Sequence, residues 1–317
     1  MNELERYLTE EIATDHADGL ITRREALHRL GLLGLSAATA SSLLAACAKE
    51  PSTSSAEPPA PEPEPQPAPA PAPSPPPEAS APAPEPPKLP PSLETEAITF
   101  AGPQGRKLQA AWAAAEKPRG AVLVIHENKG LTDHIRHVAG RFAAAGYAAL
   151  AIDLLSAEGG TASLGEPANA TAALGKAPPE RFVADLRAAI GELARRAPKL
   201  KIGAIGFCFG GAMTWRVVAS KDARVAAAIP FYGPLPDGAD FKGSKAAVLG
   251  VFAEKDDRVN KTRDAAKAAM EKAGLVHEIV TYPGEHAFHN DTSPRYHPES
   301  APKAWQKVLE WFGRHLG

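Results

Sequence analysis

From about residue 94 onward, short unbroken apolar runs alternate with stretches whose apolar side chains recur every three or four positions. Residues 121–125 (AVLVI), 147–153 (YAALAID), 201–207 (KIGAIGF), 225–231 (VAAAIPF) and 246–253 (AAVLGVFA) are runs of the kind found in strands buried on both faces. Between them lie helical patterns. Residues 134–145 carry Ile135, Val138, Ala139 and Phe142 on one face and close at Gly146; residues 179–196 carry Phe182, Leu186, Ile190 and Leu193. A helix is expected at about 260–273, a strand at 277–282, and a closing helix at about 302–315 with Trp305, Leu309 and Phe312 inward. Two shorter strands, 94–100 and 107–113, flank the turn Gly102-Pro103-Gln104-Gly105. Residues 154–178 are rich in Ala, Gly, Ser and Thr without clear periodicity and are expected to form a long loop on the active-site side. Strand and helix alternate at the spacing of parallel crossovers, which predicts a doubly wound, mainly parallel α/β sheet with helices on both faces.

Composition changes the picture upstream. Residues 51–91 hold 19 of the chain's 32 prolines, interleaved with Ala and Glu, and offer almost no side chains for a core. Residues 48–93 therefore read as an extended linker, and 94–317 as one globular domain. Six of the 35 basic and 13 of the 37 acidic residues precede Glu94, so the domain is mildly cationic. No basic run or aromatic-basic patch suits nucleic acid, and no cofactor motif is present. Residues 1–47 resemble an export address: Arg23-Arg24 precede an apolar run over 30–46 that closes on Leu44-Ala45-Ala46-Cys47. A twin-arginine signal and a lipobox would make Cys47 the lipidated first residue of an envelope-facing, periplasmic-side protein held to a membrane by its anchor. A transmembrane helix is the competing reading, but the run is short and lightened by Gly31, Gly34, Ser and Thr. With Cys47 acylated, Cys208 is the one remaining thiol, so no intrachain disulfide is expected.

The chemistry gathers at strand ends, where parallel sheets place function. Cys208 lies between Gly206 and Gly210-Gly211, the pattern of a nucleophile elbow with cysteine in the serine position; a buried core cysteine is the plainer alternative. The following helix would aim its N–H groups at the sulfur and favour thiolate. Glu127 follows the 121–125 run, Asp256 the 246–253 run, and His286 the last strand. The order nucleophile, acid, histidine is that of the α/β-hydrolase fold, with Asp256 orienting His286 and Asp257 its close competitor. The pairs His134/His137 and His286/His289 lie three apart, but neither sits on a firm helix with a third ligand, so no metal is expected.

Four stretches, VIHENKGLTDHIR (124–136), GFCFGG (206–211), FAEKDDRV (252–259) and YPGEHAFHND (282–291), together resemble the dienelactone hydrolase (carboxymethylenebutenolidase) family, from about residue 95 to the C-terminus. The resemblance implies Cys208 as nucleophile, Asp256 and His286 completing a triad, and Glu127 as the carboxylate that controls ionisation of the resting thiol. It also implies an oxyanion hole from the backbone N–H groups of Phe209 and Asn128. The expected activity is that of a carboxylic ester hydrolase acting on a small-molecule ester or lactone through a thioester, in a monomer without cofactor. In well-studied members two arginines hold the dienelactone carboxylate. Here Asn290 stands at one of those positions and residues 154–179 contain no arginine, leaving Arg181 and Arg295 as candidate substrate contacts. A broad carboxylesterase or thioesterase, and a lipid-anchored binding protein without chemistry, are the alternatives.

Overall fold

The structure, a computed structural model, describes residues 1–47 and 88–317. Most of the expected linker, residues 48–87, lies outside the described residues.

Among the described residues eight strands form one sheet: β1 (Glu96–Ala101), β2 (Lys107–Ala113), β3 (Ala121–Ile125), β4 (Ala148–Asp153), β5 (Ile202–Phe207), β6 (Val225–Phe231), β7 (Ala247–Lys255) and β8 (His277–Glu285). Their order is β1-β2-β4-β3-β5-β6-β7-β8. β1–β2 and β2–β4 pair antiparallel, and every pairing from β4 through β8 is parallel. The unbroken apolar runs are the central strands: all residues of β3, β4 and β5 are buried, as strands covered on both faces must be.

The helices of this part are α4 (Asp133–Ala144), α5 (Pro167–Lys176), α6 (Pro179–Arg196), α7 (Phe209–Ala219), α8 (Asp257–Asn260), α9 (Arg263–Lys272) and α10 (Ser300–His315). Gly203 and Gly206, three apart on β5, point to opposite faces. A side chain at Gly203 would meet Phe312 of α10, and one at Gly206 would meet Gly210 and Thr214 of α7. On the first face α4 joins α10 through Phe142, whose ring lies 4.7 Å from Trp305 and 5.8 Å from Phe312. On the second, Phe182 of α6 packs edge-on against Phe209 of α7 at 5.4 Å. This is the doubly wound α/β-hydrolase fold expected from the hydrophobic pattern.

One segment differs from expectation. Residues 154–178 are not a loop throughout: 3₁₀ turns at Ser156–Glu158 and Thr161–Leu164 lead into α5. The helix PANATAALGK is built of small residues, so its buried face, Ala168, Thr171, Ala172 and Leu174, makes no strong apolar stripe. The helix expected over about 260–273 is α9, preceded by the single turn α8.

Residues 1–47 form three helices, α1 (Glu3–Ala17), α2 (Arg23–Leu32) and α3 (Ala37–Cys47). A capping box between Asn2 and Glu5 starts α1, and Thr22 accepts the Glu25 N–H to start α2 at the arginine pair. α1 buries Leu4, Tyr7, Leu8, Glu11 and Ile12, the one-sided spacing of a docked amphipathic helix. It packs against α5 at Gly175, where a Cβ would lie 3.5 Å from Leu8 of α1 and 2.5 Å from Leu33 at the end of α2. Among the described residues no helix is long and apolar enough to cross a membrane.

Candidate active site

The strands β3, β5, β7 and β8 run parallel, so their carboxyl ends share one edge of the sheet. Glu127, Cys208, Asp256 and His286 follow them there. Cys208 has φ 57° and ψ −116°, the left-handed strain of a strand turning sharply into a helix. The flanking glycines are required by close approach. A Cβ at Gly206 would lie 2.1 Å from the Gly210 carbonyl oxygen, one at Gly210 2.3 Å from that of Ile125, and one at Gly211 2.4 Å from that of Phe231. Only without side chains can β5, α7 and β3 converge on the cysteine.

His286 and Asp256 form a tight pair: the imidazole Nδ1 lies 2.6 Å from Asp256 Oδ2, so Nδ1–H donates to the carboxylate. Burial works against ionisation of Asp256. The charge of His286, its hydrogen bond and Arg258 outweigh that and hold the carboxyl below its usual range. Asp256 also caps α8 by accepting the Val259 N–H. The other ring nitrogen, Nε2, is buried without a hydrogen-bond partner, 4.0 Å from Glu11 Oε1, and Tyr232 packs edge-on against the ring at 5.1 Å.

Glu127 and Asn128 sit in the turn after β3. His126 fixes this turn: its Nδ1 lies 2.7 Å from the Glu127 carbonyl oxygen, while its Nε2 accepts the Leu154 N–H at 3.1 Å. Accepting at Nε2 requires the neutral ring, and burial lowers the pKa of His126 in the same direction. Asn290 donates to Glu127 Oε2 at 2.6 Å and accepts at its own Oδ1 from the Thr292 N–H and hydroxyl. Among the described residues neither the Phe209 nor the Asn128 N–H donates to a backbone carbonyl.

The thiol itself faces α1. Both Glu11 carboxylate oxygens lie 3.4 Å from Cys208 Sγ, and the Tyr7 hydroxyl is 3.4 Å away. Glu11 Oε1 also accepts from Asn128 Nδ2 at 2.7 Å, and the Arg258 guanidinium lies over the Tyr7 ring at 4.4 Å. Burial first, then the negative charges of Glu11 and Glu127, push the Cys208 thiol well above its ordinary pKa. The helix N-terminus was expected to favour thiolate; with α1 in place those effects outweigh it. Beside the thiol remains a cavity of about 210 Å³ whose lining includes Glu11, Asp15, Glu127, His286 and Arg295.

Of the other expected contacts, Asn290 and Arg295 reach this cavity. Arg295 there pairs with Asp15 at 2.7 Å and Asp18 at 2.8 Å, both brought by the N-terminal segment. Arg181 does not reach it: its guanidinium is bound to Glu158 and the Leu154 carbonyl and lies over Phe182. The spacing pairs of histidines form no ligand group among the described residues. Glu11, Cys208 and His286 instead each bring one atom capable of ligation within 4.8 Å of the others. Tyr7 and Glu11 carried no motif that singled them out, and Arg258 lay within FAEKDDRV without a role given to it; Tyr7 meets the cysteine across 201 positions of sequence.

A mainly parallel sheet with a strained strand-to-helix turn at Cys208, and a histidine-carboxylate pair at the ends of β7 and β8, is the arrangement of an α/β-hydrolase. Residues 108–316 match the model described as "Dienelactone hydrolase family", and the chain belongs to that family. A protein of Salmonella typhi named "Putative carboxymethylenebutenolidase" is 33% identical over 243 residues, covering 69% of this chain and 87% of that protein. One of the same name from Escherichia coli K12 is 31% identical over 221 residues, covering 64% and 80%. A crystal structure titled "Putative Dienelactone Hydrolase", from Klebsiella pneumoniae, superposes with a TM-score of 0.61 at 29% identity, covering 70% of this chain and all of that one. Dienelactone hydrolase from Anabaena variabilis shares the fold, with a TM-score of 0.57 at 22% identity over 72% of this chain and 99% of that one. The three N-terminal helices, with Tyr7 and Glu11, precede the matched residues.

Proposed function

We propose that this protein is a hydrolase of small esters or lactones, with Cys208 as nucleophile, His286 as base and Asp256 as the residue that orients and charges the imidazole. The observation that carries this reading is the His286–Asp256 hydrogen bond of 2.6 Å, which leaves His286 Nε2 unpartnered on an imidazole that comes within 4.8 Å of the thiol. With substrate bound, His286 Nε2 takes the Cys208 proton and the thiolate adds to the carbonyl carbon. The developing oxyanion accepts from the Phe209 and Asn128 N–H groups. Collapse breaks the acyl C–O bond, and His286 returns the proton to the leaving alkoxide, giving a thioester; in a lactone both products stay joined. Water, deprotonated by His286, then adds to the thioester, and the acid leaves as the proton returns to sulfur. Glu127, held by Asn290, opposes ionisation of the resting thiol through its charge.

The substrate class is kept at esters and lactones because Asn290 stands where the resemblance calls for an arginine and Arg181 is committed to Glu158. Cys208→Ala is expected to abolish hydrolysis of p-nitrophenyl acetate and of an enol-lactone while the thermal transition stays within a few degrees of wild type. Retained turnover with alanine at 208 would refute the mechanism.

Residues 1–47 carry a second part of the reading: export through Arg23-Arg24, cleavage before Cys47 and lipidation of that cysteine, leaving the hydrolase anchored on the outer side of a membrane. The support is the residue pattern itself, Arg23-Arg24 followed by Leu44-Ala45-Ala46-Cys47. Cells fed labelled palmitate are expected to label the wild-type chain and not Cys47→Ala; label in both, or in neither, would remove the anchor.

A further inference from the structure

We propose that α1 is an intramolecular inhibitor: it occupies the place of the substrate on Cys208, and the hydrolase domain works only when α1 leaves. The inference rests on the hydrolase reading for what is inhibited, but not on the export reading.

The first observation is steric. A carbonyl attacked by Cys208 must come within about 3–3.5 Å of the sulfur. The Glu11 carboxylate and the Tyr7 hydroxyl already stand at 3.4 Å, and Cys208 is 2% exposed. The space left, about 210 Å³, is below the roughly 300–1,000 Å³ of ordinary ligand pockets. The second is chemical. Glu11 crowds the place a substrate would take: it accepts from the Asn128 side chain, on the residue whose backbone N–H is assigned to the oxyanion hole, and its charge opposes formation of the thiolate.

The third observation is that the seat is built for this helix. Its acidic residues meet the domain's arginines along its whole length: Glu3 with Arg216 at 2.7 Å, Glu11 with Arg258 at 4.0 Å, and Asp15 with Arg295 at 2.7 Å. Arg6 pairs in the opposite sense with Asp237 at 2.9 Å, and Asn2 donates to the Gly175 carbonyl. Leu4, Leu8 and Ile12 of the same helix are buried. A helix that merely walled the pocket would need neither Tyr7 nor Glu11 on the sulfur. Because α1–α3 precede the family match, the catalytic residues assigned above are complete without them.

The test keeps the full chain and loosens α1 from its ends. Glu3→Lys/Asp15→Lys/Asp18→Lys reverses three charges that pair with Arg216 and Arg295, without touching any residue assigned to catalysis, and Tyr7→Ala/Glu11→Ala removes the contacts at the thiol. For each, the rate of Cys208 alkylation by iodoacetamide is followed beside hydrolysis of p-nitrophenyl acetate, with an unchanged main thermal transition as the requirement for reading either variant. In both variants alkylation and hydrolysis are expected to rise together by about tenfold or more over wild type. A synthetic peptide of residues 1–20 should restore protection in trans. Alkylation that does not change in either variant overturns the proposal. Alkylation that rises while hydrolysis falls overturns it too, because α1 is then a working wall of the pocket. If alkylation rises and no form of the protein hydrolyses any ester, the cover stands and the hydrolase reading fails.

Discussion

Asp291 shows how single residues set the frame of this site from outside it. It lies five residues after His286, and the hydrogen bond from His134, joined by Arg141, holds its carboxyl well below the usual range against the opposing effect of burial. A carboxyl whose pKa falls on folding adds stability above its unfolded value of about 3.9 and loses it as pH drops toward the folded value. Asp291→Asn is therefore expected to cost about 2 kcal/mol at pH 7, with the difference from wild type shrinking below about pH 4. Urea midpoints at both pH values check this; an equal difference at the two would show that lost packing, not charge, is responsible. At the same scale the sequence was uneven as a guide. Cys208, Glu127, Asp256 and His286 stood out because each follows an apolar run with a recognisable motif. His126, which holds the turn, looked like one more residue of that motif. His289 lies three after His286 yet has no ligand role visible: it is sealed among Phe207, Phe231 and Trp305, and burial drives its pKa down to about 3.

Among elements, the β5–α7 corner carries the tightest constraints. Gly210 faces the Ile125 carbonyl at a distance no real Cβ tolerates, and the atom it would strike is backbone. Gly210→Ala must push α7 away from β3, and a loss of about 3 kcal/mol or more is expected, with Cys208 displaced and hydrolysis falling with it. A thermal transition within two degrees or so of wild type would contradict that close approach. The central strands were legible because burial on both faces leaves an unbroken apolar run, and α4, α6 and α10 because each buries one stripe of large side chains. α5 escaped because Ala, Gly and Thr cover a neighbour without standing out in the pattern. α1 escaped for another reason. Its stripe of Leu4, Tyr7, Leu8, Glu11 and Ile12 is helical in period, but a carboxylate in the buried face has no meaning until Arg258, Asn128 and Cys208 are brought to it by the fold.

For the whole molecule, the topology unites residues from both ends of the chain at one edge of a sheet. The hydrolase part could be read as a unit because its contacts follow the crossover rules of parallel sheets. Its relation to residues 1–47 could not, since no rule of local pattern says where a helix docks across some 200 positions of sequence. The burial of Cys208 has a last consequence, for the lifetime of the sulfur. Peroxide attacks thiolates that solvent reaches, and the first product, a sulfenic acid, passes on to forms that are not reversed. A thiol kept protonated beneath Tyr7 and Glu11 offers an oxidant neither the charge nor the access it needs. The chain thus stores its most perishable atom in reduced form, and the interval over which that atom can be spoiled begins only when the helix lifts.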